Sequence, residues 1–206
     1  MLEELELDYE LVTYARDPET KLAPNSLRSI HPLGKSPVIT DGELTLAESG
    51  AILEYLAHER GDGSLVPASG SPERTRYTYW MHYAEGSAAP PLLLKLVFDM
   101  MPTRVPIFAR PLVSAISKRV VREYVGPQLR LHLDFLEGEL TSREYFAGDA
   151  FTAADVQMTF PLQAARARGV LTDAYPKLRA FLERMSERPA YKRAAERGGP
   201  HDIGEI

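Results

Sequence analysis

Residues 32–56 read Pro-Leu-Gly-Lys-Ser-Pro-Val-Ile-Thr-Asp-Gly-Glu-Leu-Thr-Leu-Ala-Glu-Ser-Gly-Ala-Ile-Leu-Glu-Tyr-Leu. A strand is entered through Pro37, and a tight turn is expected at Asp41-Gly42, because Asp-Gly between two short apolar runs supplies the positive φ of a two-residue hairpin turn. A second strand and a helix follow. The helix opens at Glu48-Ser49, with Ile52, Leu53 and Leu56 at spacings that share one face. An extended backbone beside a proline therefore stands next to a carboxylate and a hydroxyl at a helix start. The pair suits a small peptide-like anion.

Outward from this stretch, the chain changes character near residue 62. Before it, short strand-like and helix-like pieces alternate. Tyr9 to Tyr14 has the β-branched and aromatic content of a strand, and Leu27 to Ile30 ends a short helix that Pro32 terminates. Carboxylate pairs such as Glu3-Glu4 read as a solvated helix face. Residues 61–72 are rich in Gly, Ser and Pro and read as a linker.

Beyond the linker the periodicity is helical. Tyr77, Trp80, Met81, Ala84 and Ala88 form one stripe, and Tyr79, His82, Tyr83 and Gly86 form a second, so this helix is expected to be contacted from both sides. Val113, Ile116, Val120 and Tyr124 continue into Leu129, Leu133, Leu136 and Leu140 across a kink or break at Gly126-Pro127. Thr152 and Asp155 resemble a capping box between staple positions Phe151 and Val156. Leu178, Phe181, Leu182 and Met185 mark a further helix, Pro189 starts a short last one, and the tail from Gly198 is expected to be loose. The expected architecture is an α/β module over 1–62 followed by an all-helical domain over 73–206.

The chain has 206 residues, 44% hydrophobic and 26% charged, with a net charge of −5. That is ordinary for a soluble globular protein, and it lacks the basic footprint of a nucleic-acid or anionic-membrane binder. The longest apolar run, Pro90 to Phe98, is short for a membrane span and Lys95 interrupts it. No secretory leader is visible, so a cytoplasmic location is expected. Cysteine is absent, which removes disulfides, a thiol nucleophile and thiolate metal ligands from this sequence. The five histidines show no i, i+4 pairing and no acidic companion at metal spacing, so no metal is expected. Gly61-Asp62-Gly63 lacks the third glycine of a nucleotide loop, and no Gly-x-Ser-x-Gly elbow occurs.

Five residues at the hairpin and helix start could carry recognition. Ser36, held extended by Pro37, would present its N–H and C=O sideways; alternatively Pro37 only opens an edge strand. Ser49 and the helix start would favour a bound carboxylate; alternatively Ser49 is simply a cap and Glu48 complements the dipole. Lys35 could supply a counter-charge for a second carboxylate, or be merely solvated. His82 reads more readily as a packed side chain than as a ligand.

Ser36-Pro37-Val38 followed by Ala47-Glu48-Ser49-Gly50-Ala51-Ile52 resembles the second half of a glutathione transferase N-terminal, thioredoxin-like domain. The run from His31 to Pro37 is most similar to a bacterial and fungal branch of that superfamily. Residues 79–87 and Gly148 to Asp155 fit the same family, so the resemblance spans Met1 to about Tyr191. It implies that Pro37 is the family's cis-proline and that the Ser36 main chain pairs with the cysteinyl part of glutathione. Glu48 and Ser49 would hold the γ-glutamyl end, with Ser49 on its carboxylate, and Lys35 would reach toward the glycyl carboxylate. Thr152 and Asp155 would be the folding cap of the helical domain. The activity implied is conjugation of the glutathione thiol to, or reduction of, a small hydrophobic electrophile, with His82, Tyr83 and Pro91 as candidates to line its groove. A homodimer through the helices around 73–100 is implied as well.

One departure from the family pattern stands out. The family's first strand, and the loop carrying the Tyr, Ser or Cys that steadies the glutathione thiolate, precede a stretch like Met1 to Tyr9. Read this way, the chain begins inside the first helix, and a central strand between 9–14 and 37–40 is missing, leaving ladder groups unpaired. The expectation is that about twenty residues of strand, loop and half-helix precede Met1 and that the catalytic residue lies among them. A rival reading is a non-catalytic binding or regulatory protein of the same fold. A thiol–disulfide or peroxide reductase would need an upstream cysteine.

Overall fold

The computed structural model describes residues 1–17, 20 and 22–199. A small sheet with flanking helices is followed by a helical region, as the sequence pattern led us to expect. Residues 2–6 make a helical turn, and 7–17 then run without regular structure. The strand expected at 9–14 does not form. Its residue types suit a half-buried pleated surface, but no neighbouring strand pairs with it among the described residues, and Leu11 and Val12 are exposed.

Helix α1 (Asn25–Ile30) buries Leu27 and stops at His31, which is extended as a residue before proline should be. Strands β1 (Val38–Asp41) and β2 (Leu44–Ala47) pair antiparallel, from Val38 with Ala47 to Asp41 with Leu44. The turn is therefore Gly42-Glu43, one residue later than the Asp-Gly reading placed it, with Gly42 at φ +59°. Asp41 stays in the ladder because its carboxylate is engaged elsewhere. It accepts from Tyr55 Oη at 2.9 Å and Arg60 Nε at 2.6 Å. These partners hold its carboxyl below the usual range and tie the hairpin to helix α2 (Ser49–Tyr55), which runs on through a π turn to Arg60.

The linker is pinned by buried Leu65, whose carbonyl accepts from Ala153 N at 3.0 Å. Helix α3 (Pro72–Tyr83) starts on Ser71, whose hydroxyl accepts from Arg74 N at 3.1 Å. It passes through a π turn (Ala84–Ala88) into α4 (Ala89–Met100). The π turn has a cause in the sequence. Pro90 and Pro91 have no N–H to return to the carbonyls of Gly86 and Ser87, so the α ladder cannot continue there. The same device recurs between α5 (Arg110–Val120) and α6 (Gly126–Glu139), where a π turn (Val121–Val125) precedes Pro127. The expected break at Gly126-Pro127 is thus a π turn inside a continuous helix. A Cβ on Gly126 would stand 2.9 Å from the Val121 carbonyl, which leaves room only for glycine.

Helices α7 (Ala153–Ala167), α8 (Pro176–Glu187) and α9 (Pro189–Gly198) complete the fold. The tail expected to be loose from Gly198 lies largely outside the described residues. Tyr77, Trp80, Phe146, Phe181, Leu136, Met158, Leu162 and Leu178 are each less than 2% exposed and form the core. Leu129, Leu133, Leu136 and Leu140 all point into it. Two helix starts are capped by carboxylates, one from a distant helix and one from within its own first turn. Glu137 accepts from Lys177 N at 2.8 Å and Leu178 N at 3.0 Å, closing the first turn of α8. Asp155, fully buried, accepts from Thr152 N at 2.8 Å, Thr152 Oγ1 at 2.9 Å and Phe146 N at 2.9 Å. The capping box read from Thr152 and Asp155 is present, and it also holds the loop before α7.

The Glu3-Glu4 pair is not a solvated face. Glu3 is buried, accepts from Tyr9 Oη at 2.8 Å and pairs with Arg193 and Arg197, while Glu4 takes Arg188 in two bonds at 2.7 and 2.9 Å. These acids fasten the start of the chain to α9. Their partners lie about 190 positions away, beyond the reach of local pattern. Among the described residues no helix is long and apolar enough to cross a membrane.

Candidate functional site

The register of the hairpin builds the site. Pro37 has no N–H to donate, so the ladder ends at Val38–Ala47. Ser36 and Pro37 lead into β1 where Glu48 and Ser49 leave β2, so the two pairs lie at the same end of the hairpin. The Ser36–Pro37 bond is cis. Ser36 and Pro37 are exposed, and the main-chain N–H and C=O of Ser36 have no partner among the described residues.

Glu48 forces the turn from strand to helix. It adopts φ +74° and ψ 118°, a conformation that costs a non-glycine residue on the order of 1–3 kcal/mol. Its carbonyl accepts from Ile52 N at 2.9 Å, the first bond of α2. No side chain caps this helix and no acid stands in its first turn, so its leading N–H groups remain available as donors. The Ser49 hydroxyl, half-buried, adds another. The alternative in which Ser49 merely caps the helix does not hold, because Ser49 is the first helical residue and its hydroxyl has no bond among the described residues. What these donors can do is receive a carboxylate.

Lys35 is exposed and makes no ion pair among the described residues. It follows Gly34, a buried glycine at φ +56° whose N–H donates to the His31 carbonyl at 2.8 Å. A Cβ there would press on Arg28 Cγ at 2.8 Å. This turn fixes where Lys35 leaves the chain, on the approach to Ser36.

The helical region closes the other side of α2. A Cβ placed on Gly50 would lie 3.6 Å from Gln157 Nε2 and 3.9 Å from Glu85 Oε2. Neither residue was singled out by the sequence pattern. Gln157 reads as one more position on a buried helix, and Glu85 as one more acid on a two-faced one. The legible signal was Pro90-Pro91, which marks the π turn that presents Glu85.

The three groove candidates separate in the structure. His82 is exposed rather than packed, whereas Tyr83 and Pro91 are buried. Tyr83 belongs to the core: its ring stacks on Tyr79 at 5.5 Å and meets Trp80 edge-on at 5.1 Å. Its hydroxyl lies 2.5 Å from His132 Nδ1. Burial raises the Tyr83 phenol and lowers the His132 imidazole. Both groups are therefore neutral near pH 7, with the phenol donating and the imidazole accepting. Tyr83→Phe is expected to lower the melting temperature by about 3–6 °C, the cost of one hydrogen bond and an orphaned acceptor. Binding at the Ser36–Ser49 site should stay unchanged, as calorimetry of both proteins would check.

A cleft of about 350 Å³ opens elsewhere, among Leu140 to Glu144, Asp149, Lys177, Ala180 and Arg184. It includes no residue of the hairpin or α2, and two of its cations are already engaged, Arg184 with the Glu144 carbonyl and Arg143 with Glu139. Among the described residues no cluster of acids and histidines could hold a metal ion.

Comparison with known proteins agrees across the chain. Residues 1–58 match the family model of the glutathione S-transferase N-terminal domain, and residues 100–189 that of the C-terminal domain. Glutathione S-transferase 3 of Schizosaccharomyces pombe is 36% identical over 197 residues, covering 96% of this chain and 81% of that one. Glutathione S-transferase 1 of Saccharomyces cerevisiae is 30% identical over 210 residues, covering 96% and 88%. Among solved structures, a glutathione S-transferase from Actinobacillus pleuropneumoniae superposes with a TM-score of 0.79 at 32% identity, over 100% of this chain and 88% of that one. A sphingomonad glutathione S-transferase in complex with glutathione gives 0.71 at 25% identity, over 100% and 92%.

Proposed function

Because the chain belongs to the glutathione S-transferase family, we propose that it binds glutathione across the Ser36 main chain and the opening turn of α2. Bound there, the thiol of glutathione is conjugated to, or used to reduce, a small hydrophobic electrophile. The observation that carries this reading is the open end of the hairpin, which brings together a Ser36 main chain without a partner among the described residues and an uncapped helix start.

Each group has a role that its chemistry suits. The N–H and C=O of Ser36 pair with the cysteinyl unit as a further strand would. Pro37 keeps that edge free of the hairpin's own ladder. The Ser49 hydroxyl and the leading N–H groups of α2 take the γ-glutamyl carboxylate, and Glu48 lies on the side of its ammonium. Lys35 reaches the glycyl carboxylate. With both ends held, the thiol is fixed between them, and its ionised form is the nucleophile. His82 remains as the exposed groove candidate.

We also propose that the protein is a C2 dimer. Tyr79 on α3 and Leu131 and Phe135 on α6 are exposed, and Tyr83 touches both Tyr79 and Phe135, which joins them into one aromatic patch. Static light scattering should give twice the chain mass. A monomer at working concentration would contradict this.

Thermal shift tests the binding assignment. Glutathione at about 100 times its Kd should raise the melting temperature by roughly 5–10 °C. An analogue lacking the γ-glutamyl carboxylate, at the same concentration, should give less than half of that. No shift with glutathione would overturn the reading. Protein-dependent loss of thiol with an aryl halide would then separate a transferase from a protein that only binds.

A further inference from the structure

The net charge of −5 is a sum over the chain and hides a local exception. From Met100 to Arg122 there is no acid, while Arg104, Arg110, Lys118, Arg119 and Arg122 contribute five cations. This run holds the turn between α4 and α5, and prolines shape it. Pro102 and Pro106 set two short 3-10 turns, Met101–Arg104 and Ile107–Ala109, and Pro111 opens α5. Thr103 Oγ1 donates to the Met100 carbonyl at 2.8 Å and Ala109 N to the Pro106 carbonyl at 2.9 Å, so the turn is built rather than slack. It carries apolar side chains outward. Phe108 is 85% and Ile107 77% exposed, and Leu112 and Ile116, one turn apart on α5, extend the patch. The buried position between α5 and its neighbours is held by Ser117 while these two stay exposed. That is the reverse of what a solvated helix needs, and a contiguous apolar patch of this kind marks a place of contact.

We propose that this tip docks the protein on an anionic lipid surface, with Ile107 and Phe108 entering the acyl boundary and the cations meeting headgroup phosphates. Charge and shape both select this occupant. Arg104, Arg110 and Lys118 are exposed and make no ion pair among the described residues, and Arg119 and Arg122 share the single carboxylate of Glu123. A negative leaflet attracts such a cluster. It repels the remainder of an acidic chain, so the field itself turns the tip toward the surface. The apolar side chains project from a turn instead of lining a groove, which suits insertion at a bilayer boundary. The stems of the flanking cations can lie along that boundary while their heads stay wet. A second copy is a poor occupant, because in a two-fold contact the same cations would face one another. The aromatic patch given to the dimer lies elsewhere. Leu131 stands roughly 30 Å from Leu112 along the continuous α5–α6 helix, at about 1.5 Å per residue. Docking of this kind is independent of the glutathione site.

Co-sedimentation of the whole protein with vesicles tests it, using phosphatidylcholine alone and phosphatidylcholine with about one third phosphatidylserine. The mixed vesicles should bind the protein about tenfold more tightly than the neutral ones in about 0.05 M salt, and about 0.5 M salt should remove most of that difference. Ile107→Ser with Phe108→Ser should weaken binding to the mixed vesicles about tenfold. Arg104→Gln with Arg110→Gln should do the same there and leave the neutral vesicles within about twofold. All four positions are exposed, so the melting temperature of each double variant should stay within about 2 °C of the parent. No binding to the mixed vesicles, or binding that both double variants retain, would overturn the proposal. Loss of the dimer mass in either variant would give the tip to a second copy and overturn it too. So would a raised KM for an aryl halide at unchanged vesicle binding, which would give the tip to the electrophile.

Discussion

Ser49→Ala weakens glutathione binding by about 10- to 100-fold and leaves the unliganded melting temperature within about 2 °C of the parent. The hydroxyl opens α2 but has no bond among the described residues, and alanine is the better helix former at that position. Its removal therefore costs the fold little. In the complex it would donate to a carboxylate, and a hydrogen bond to a charged group contributes about 1.5–3 kcal/mol, which is the stated range in Kd. Ser49→Thr keeps the donor and should retain most of the affinity. Isothermal titration of the three proteins distinguishes these outcomes, and an unchanged Kd in Ser49→Ala removes the carboxylate from this helix.

Asp155→Ala is expected to have the opposite profile, a large loss of stability with no ligand to blame. The carboxylate is fully buried and receives three hydrogen bonds, two from Thr152 and one from Phe146 N. Removing it orphans two buried N–H groups at once. About 3–5 kcal/mol is the expected cost, a fall of roughly 6–20 °C in melting temperature for a chain of this size. The same residue gives stability a pH dependence. Burial pushes the Asp155 carboxyl up to about 6, against the three donors that favour its ionised form. With the folded-state pKa above the unfolded one, the native protein binds the extra proton. The contribution of this group is therefore full below about pH 4 and is lost as pH rises to about 6, a change of roughly 3 kcal/mol. Chemical denaturation of parent and Asp155→Asn between pH 4 and 7 should show that slope in the parent and not in the variant.

Most of the helical region was legible in the sequence because its signals are local. The leucines of α6, the Leu178-to-Met185 stripe and the box at Thr152 and Asp155 are all set by spacings of three or four, and each lies where that spacing puts it. The hairpin and α2 were legible for the same reason. The turn slipped by one residue because Asp41 is claimed by Tyr55 and Arg60, partners 14 and 19 positions away. A strand at 9–14 could be read from residue type, but a strand exists only against a neighbour, and type says nothing of one. Tyr83 looked like a groove residue because an aromatic on a mixed face is ambiguous until His132, 49 positions away, is seen to accept from it. Likewise Glu85 and Gln157 carry no motif. They come into view only at Gly50 of α2, where a Cβ would lie 3.6 Å from Gln157 Nε2 and 3.9 Å from Glu85 Oε2. The fold was written in local periodicity, and the surroundings of α2 were written in contacts between distant elements.

A crystal structure of the protein grown with glutathione tests the central assignment most directly. The account predicts the γ-glutamyl carboxylate about 2.6–3.2 Å from Ser49 Oγ and the leading N–H groups of α2, with the cysteinyl main chain paired antiparallel to Ser36. Glutathione bound away from the Ser36–Pro37 and Glu48–Ser49 edge, with those groups still unpaired, would contradict it.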